Sequence, residues 1–245
     1  MSDIITTNGA SHVAEARSTG SRPSASSLRA RGGLKKRRGV EPYDALLWRL
    51  QSRQAEQAAA ATTLGLIGRQ SRTGVSTIAA NLAVRASEFR LGPVLLVETD
   101  SERPRLASAW KLPGGPGLAE LLSGSAGFSD CLRGGPADEL HVIPASGGQA
   151  ADAAWDPAAI DALLAEARGD YRMVLFDLPP AERLNHAVLL ARRLDQVLLV
   201  LRAEQSRAPG AQRVVDQLIE DGVPLAGAVL NRERSYVPRW LSRWI

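Results

Sequence analysis

A short loop between a predicted strand and a predicted helix holds residue types that bind phosphate. It covers positions 68–77 and contains Gly74, Ser76 and Thr77. Glycine lets backbone N–H groups face a phosphate, and a Ser or Thr hydroxyl can bind the Mg²⁺ that accompanies it. A lysine normally completes such a loop, but Val75 stands in its position. The loop alone is therefore a weak indication, and an ordinary strand-to-helix turn is the simpler interpretation.

Acidic residues follow two other apolar runs, at the points where strands are predicted to end. Glu98 and Asp100 follow one run, and Asp177 ends the other. Carboxylates placed beside a hydroxyl at a helix start suit a nucleotide with Mg²⁺, because Mg²⁺ takes a few oxygen ligands and keeps several waters. We predict Ser76, Asp100 and Asp177 as metal ligands, and Glu98, Asp100 and Asp177 as catalytic candidates. The alternative, in which the two aspartates only cap the following loops, stays open.

These candidates are positioned by a regular alternation of apolar strands and helices. The strands are predicted at 64–68, 94–98, 140–144, 173–178, 197–201 and 226–230. The helices are predicted at 41–61 and near 76–90, 117–123, 157–168, 184–193 and 207–221. Runs that are apolar throughout indicate burial on both faces, and the alternation predicts an α/β fold with a doubly wound, mainly parallel sheet. Ligands of such sheets bind at the carboxyl ends of the strands.

Composition divides the chain into a basic arm and a folded region. The 245 residues are 44% hydrophobic, which suffices for a buried core and excludes disorder as the whole structure. Residues 1–40 hold eight basic and two acidic residues, a net charge of +6, so the total of +4 leaves −2 for residues 41–245. We predict a disordered basic arm at 1–40, whose cluster at 35–38 either contacts an anionic surface or is simply solvated.

Membrane-spanning and secreted classes do not fit the sequence. The longest apolar runs fall far short of the roughly 20 residues that a spanning helix needs. The N-terminus lacks the pattern of a secretory signal, and Cys131, the single cysteine, cannot form an intrachain disulfide. The expected compartment is the cytoplasm.

The order of the segments resembles the bacterial tyrosine autokinases of capsule and exopolysaccharide biosynthesis, which are Min/Par-type deviant Walker ATPases. The motifs that carry the resemblance are Glu41-Pro42-Tyr43, Gly74-Val75-Ser76-Thr77, Asn81-Leu82-Ala83, positions 98–104 and 117–124, Asp177-Leu178-Pro179-Pro180, and Val229-Leu230-Asn231-Arg232. The resemblance implies a P-loop NTPase-type domain at 41–236, with ATP or ADP and Mg²⁺ as cofactors. An Arg/Trp-rich tail remains at 237–245.

The resemblance also implies which residues hold the nucleotide. Those residues lie in the loop and at the end of the last strand. They are Gly74, Ser76, Thr77, Arg72, Asn231 and Arg232.

Several departures from the family pattern favour a catalytically impaired member. Val75 replaces the Walker lysine and cannot supply the charge that stabilises phosphoryl transfer. Arg69 or Arg72 could reach in from the same loop, although a planar guanidinium is no geometric replacement for an ammonium. Glu102 stands where the family has arginine, and Tyr236 stands alone where the family's kinases carry a tyrosine cluster.

We therefore predict a cytoplasmic autokinase-like component that regulates exopolysaccharide or capsule polymerisation and export. Two alternatives stay open: an active ATP-dependent tyrosine autokinase, and a Par/Min-like positioning ATPase. The resemblance implies a membrane polysaccharide co-polymerase, or chain-length determinant protein, as partner, and a place at the inner face of the plasma membrane through that partner. Self-assembly and contact of the arm with an anionic membrane stay open, and nucleic acid is not expected as a partner.

Overall fold

The computed structural model describes residues 41–55, 61–90, 92–145, 155–183, 187–203 and 208–231. The predicted arm at 1–40, the tail at 237–245, Arg232 and Tyr236 lie outside the described residues. Within the described part, no helix is long and apolar enough to cross a bilayer.

Seven strands of the described chain form one sheet in the order β3-β4-β2-β5-β1-β6-β7. They are β1 Thr62–Gly68, β2 Val94–Glu98, β3 Arg133–Gly134, β4 Leu140–Ile143, β5 Met173–Asp177, β6 Gln196–Arg202 and β7 Leu225–Asn231. All neighbouring pairs are parallel except β3 with β4, which is antiparallel. The predicted α/β fold with a mainly parallel sheet is confirmed, and the two-residue edge strand β3 is an addition to it.

The helices lie between the strands, as the alternation indicates. They are α1 Glu41–Ala55, α2 Val75–Glu88, α3 Leu106–Trp110, α4 Leu118–Leu122, α5 Phe128–Cys131, α6 Pro157–Asp170, α7 Ala187–Ala191 and α8 Ala208–Glu220. A 3-10 turn at Ala181–Arg183 follows β5. The short helices α3 and α5 were not predicted, whereas the equally short α4 and α7 lie within the predicted helices at 117–123 and 184–193.

The two faces of the sheet carry separate apolar clusters, because successive side chains of a strand point to opposite faces. On β1, Leu64 and Leu66 pack in one cluster with side chains of α1 and α2. Ile67 packs in the other cluster with α6 and α7. The central strands β1, β2 and β5 are buried along their whole length, which confirms the burial expected of their apolar runs.

The register of the central strands brings their carboxyl ends together. Asp177 of β5 lies beside Leu66 of β1 on one side and beside Glu98 of β2 on the other. The backbone N–H and hydroxyl of Thr99 both donate to the carbonyl oxygen of Asp177, at 3.1 and 2.8 Å. The loop at 68–77 and both acidic segments therefore meet at one edge of the sheet.

Candidate functional site

A cleft of about 440 Å³ opens at the carboxyl ends of β1, β2, β5 and β6. It is lined by residues 70–77 after β1, by Asp100, Arg103 and Arg105 after β2, by Asp177, Leu178 and Pro180 after β5, and by Arg202 of β6. Parallel sheets bind ligands in this position, so the cleft is the candidate site.

The loop after β1 reaches its shape through two glycines. Gly74 has φ of 97°, the left-handed region that favours glycine, and it directly precedes α2. A Cβ at Gly74 would lie 2.3 Å from Nδ2 of Asn231, and one at Gly68 would lie 2.1 Å from Oγ1 of Thr73. The loop therefore folds closely on itself and directs the N-terminus of α2 into the cleft, where backbone N–H groups favour an anion.

Asn231, at the end of β7, fastens this loop. Its Nδ2 donates a hydrogen bond of 2.7 Å to the carbonyl oxygen of Thr73. Asn231 is not among the residues that line the cleft, and its side-chain amide contacts the backbone of the loop. The predicted contact with a nucleotide stays a prediction.

Asp177 is the most deeply placed carboxyl of the cleft, with 2% of its surface exposed. Burial raises its pKa to about 7, and the charges of Glu98 and Asp100 act in the same direction. A hydrogen bond from the Ser76 hydroxyl and the charge of Arg105 partly offset that rise in pKa. Near neutral pH the group can therefore hold or release a proton beside the start of α2.

Glu98 is buried but turns away from the cleft. Its Oε1 accepts the backbone N–H groups of Arg105 and Leu106, the latter at 2.9 Å, and its Oε2 accepts that of Ala145 at 3.2 Å. Burial raises its pKa, and these three hydrogen bonds act against the rise. The side chain holds the start of α3 and Ala145, which lies just after β4, and this is a positioning role. The predicted catalytic role of Glu98 stays a prediction without a contact in the cleft.

Asp100 lines the cleft, but its carboxylate is engaged by Arg183 of the 3-10 turn. Oδ2 lies 3.1 Å from Nη2 of Arg183, and Oδ1 lies 3.4 Å from Nη1. Glu102 is a second ion-pair partner of the same guanidinium. The acidic residue at position 102, where the family has arginine, thus pairs with an arginine from another segment.

Four arginines line the same cleft as Val75, the residue in the position of the Walker lysine. Arg72, Arg103, Arg105 and Arg202 all line the cleft. Arg69 does not, because its guanidinium lies against α8, where a Cβ on Gly210 would be 2.8 Å from Nη1. Of the two arginines that the loop offered, only Arg72 is placed to meet a phosphate.

The structure thus brings most of the predicted residues to one cleft. Gly74, Ser76, Thr77, Arg72, Asp100 and Asp177 line it. The arginines at 103, 105 and 202 were missed. Their position just after or at a strand end is the signal that could have found them.

The donor set fits Mg²⁺ only in part. The Ser76 hydroxyl lies close enough to the Asp177 carboxylate to lower its pKa, so two of the predicted ligands are neighbours. The third predicted ligand, Asp100, has both oxygens engaged by a guanidinium. Within the described residues there is no group of three or more His, Cys, Asp and Glu side chains that could hold a metal ion.

Sequence comparison finds relatives among bacterial tyrosine-protein kinases. Tyrosine-protein kinase YwqD of Bacillus subtilis is 27% identical over 166 residues, which are 66% of this chain and 68% of YwqD. Tyrosine-protein kinase Wzc of Salmonella typhi is 24% identical over 176 residues, and the match covers 69% of this chain but only 23% of Wzc. No family model matches the chain.

Solved structures share the fold. The BceF tyrosine kinase domain superposes with a TM-score of 0.68 at 25% identity, covering 78% of this chain and 76% of that domain. The septum site-determining protein MinD of Pyrococcus horikoshii, solved with Mg-ADP, gives a TM-score of 0.61 at 22% identity over 75% of this chain and 76% of MinD. In sequence and in fold, the chain is thus similar to bacterial tyrosine-protein kinases.

Proposed function

We propose that the chain binds a nucleoside di- or triphosphate in the cleft and serves as a regulatory, catalytically impaired member of its family. The observation that carries the proposal is the glycine-shaped loop at the start of α2, surrounded by arginines and lacking the lysine. The loop and the arginines suit a phosphate chain, because both present N–H donors and positive charge to it.

The same cleft lacks features that phosphoryl transfer uses. Val75 offers no charge at the position where the family's lysine contacts the transferring phosphate. Asp100 is paired with Arg183, so a metal ion would compete with a guanidinium for this carboxylate. Asp177, with its pKa raised to about 7, is partly protonated near neutral pH. Nucleotide binding is thus better supported than catalysis.

The biological setting of the proposal follows from the family resemblance. A chain of this kind would act in exopolysaccharide or capsule polymerisation and export, bound to a membrane co-polymerase at the inner face of the plasma membrane. Residues 1–40, with their net charge of +6, would add attraction to anionic lipid.

A calorimetric titration with ATP and MgCl₂ tests nucleotide binding. We compare the full-length wild-type chain with Val75→Lys and with Val75→Met, an uncharged control of similar length. Wild type and Val75→Met should bind alike, and Val75→Lys should bind about tenfold more tightly because a charged donor is added. Failure of all three to bind ATP at millimolar concentration would refute the proposal.

Catalytic impairment is tested separately by autophosphorylation with radiolabelled ATP. The wild type should give no signal above that of Asp177→Ala. A wild-type phosphotyrosine signal at Tyr236 that disappears in Asp177→Ala would establish an active autokinase instead. That second candidate is favoured by Arg105, whose charge acts on Asp177 and could stand in for the lysine.

A further inference from the structure

Arg183 pairs with the carboxylate of Asp100, one of the three predicted metal ligands. Its guanidinium makes two contacts with the Asp100 carboxylate, at 3.1 and 3.4 Å, and also pairs with Glu102. Such a two-point contact is geometrically specific and keeps its charge at any ordinary pH. The side chains of Asp100 and Arg183 are only 18% and 21% exposed, so solvent screens the pair weakly.

The turn that carries Arg183 is well anchored. It follows Pro179 and Pro180, whose rings restrict the backbone, and the N–H of Arg183 donates to the carbonyl oxygen of Pro180 at 2.7 Å. The hydrogen bond to Pro180 fixes the backbone of Arg183, and Glu102 pairs with its guanidinium. Both contacts restrain the side chain beside Asp100. A metal ion at Asp100 would have to compete with this guanidinium for the carboxylate oxygens.

The remaining charge of the cleft suits a phosphate chain without a metal. Arg72, Arg103 and Arg105 line the cleft, and none of them forms an ion pair with a described carboxylate. Of the two lining carboxylates, Asp100 is neutralised by Arg183 and Asp177 lies at the bottom of the cleft. Positive charge thus exceeds negative charge where the phosphates would lie, which is the condition that Mg²⁺ otherwise provides.

We propose that the cleft binds the phosphate chain of a nucleotide without requiring a divalent cation, with Arg183 acting at Asp100 in place of the metal. The inference rests on the proposed nucleotide binding and adds that the nucleotide can bind without a metal ion. Loss of Arg183 would leave Asp100 as an unpaired carboxylate facing the phosphates. The repulsion would then make binding depend on Mg²⁺.

The test is calorimetric titration of the full-length chain with ADP, once in EDTA and once in MgCl₂. Wild type should show dissociation constants that agree within about threefold between the two conditions. Arg183→Gln should bind about tenfold more weakly in EDTA and recover in MgCl₂. Arg193→Gln is the matched control, because it removes an ion pair of 2.8 Å to Asp161, which does not line the cleft, and it should behave as wild type.

The outcomes separate the inference from the proposed function. If MgCl₂ lowers the wild-type dissociation constant for ADP by about tenfold or more, the inference is overturned and nucleotide binding stands. Absence of binding in both conditions overturns the proposed function itself. The folding of Arg183→Gln is checked by circular dichroism. If the folded variant binds ADP like wild type in both EDTA and MgCl₂, the role of Arg183 is overturned.

A second measurement uses the wild type alone and does not depend on whether Arg183→Gln folds. The electron paramagnetic resonance signal of free Mn²⁺ is recorded with ADP, with and without the protein. The protein should not increase the amount of Mn²⁺ bound beyond what ADP binds by itself. Additional Mn²⁺ bound in the ternary mixture would overturn the inference.

Discussion

Polar side chains have different environments at the two ends of β1. At the amino end, the N–H and the hydroxyl of Thr63 both donate to Oδ2 of Asp195 at 2.8 Å, and Nη2 of Arg168 lies 2.9 Å from Oδ1. The N–H of Asp195 returns a hydrogen bond of 2.9 Å to the Thr63 hydroxyl. At the carboxyl end, by contrast, arginines and the N-terminus of α2 surround a cleft.

The polar side chains at the amino end of β1 stabilise the fold, whereas those at the carboxyl end line the candidate site. At the amino end each group has a partner within the protein, so the network has little left to offer a ligand. At the carboxyl end the backbone is held by Gly74 and Asn231, while charged side chains face the cleft. Substitutions at the first end should therefore change stability alone, and substitutions at the second should change binding.

The largest loss of stability is expected from Asp195→Ala. It removes the acceptor of two Thr63 donors and the ionic partner of Arg168. Because the Asp195 side chain is 39% exposed and water can replace part of these contacts, the free energy of unfolding should fall by about 2 kcal/mol. Urea denaturation measures the loss, and ADP titration should give an unchanged affinity. A weakened affinity in the folded variant would show that the two ends of β1 are coupled.

The next effect concerns pH and Asp177. Its pKa is raised from 3.8 to about 7, so the folded state binds more protons than the unfolded state between these values. Wild-type stability should therefore fall as the pH rises from about 4 to about 7 and stay low above that. Asp177→Asn should be more stable than wild type by about 2 kcal/mol at pH 8, and by much less at pH 5.

Thermal unfolding at both pH values checks this prediction. Glu98, whose pKa is also raised by burial, remains in both proteins and contributes a similar fall in stability to each. The difference between the two proteins therefore reports mainly on Asp177. An equal gain in stability at pH 5 and pH 8 would contradict the predicted ionisation.

A smaller loss is expected from Gly74→Ala. The added Cβ meets the Asn231 amide at 2.3 Å, and φ of 97° is strained for alanine, which should cost about 1 to 2 kcal/mol of stability. Gly169→Ala is a suitable control, because nothing lies within 4 Å of a Cβ at that helical position. Chemical denaturation compares the two variants, and equal stabilities would show that the loop readily rearranges.

The smallest change in stability is expected from Arg105→Gln. The side chain lines the cleft, so its loss should leave the free energy of unfolding within about 0.5 kcal/mol of wild type. ADP affinity should fall about tenfold, since a charged donor to phosphate is lost. Calorimetry checks the affinity, and an unchanged value would assign phosphate binding to the other arginines.

The strands and the family were predictable because their signals are local. The runs at 94–98 and 173–178 are apolar throughout, and the structure buries β2 and β5 completely. The positions of Gly74, Ser76 and Asp177 followed from the order of strand, loop and helix, so these residues meet in the cleft as expected. The relatives found by sequence are tyrosine-protein kinases, the family that these motifs resemble.

The direction of side chains was not predictable in the same way. Glu98 and Asp177 are neighbours in the sheet, yet only Asp177 lines the cleft, because backbone N–H groups of two loops bind Glu98 from the other side. Arg69 and Arg72 are three positions apart in one loop, and only Arg72 faces the cleft. Such choices depend on which neighbours each side chain meets.

By itself, the sequence determined the mainly parallel α/β sheet, the phosphate-type loop and the absence of the lysine at position 75, since residue types and their spacing encode these features. Only the tertiary structure decided which charged side chains meet near the cleft. Arg183 lies 83 positions from Asp100 along the chain, and a contact over that separation exists only once β2 and β5 pair. Packing of distant segments, which no local pattern records, thus places an arginine at a predicted metal ligand.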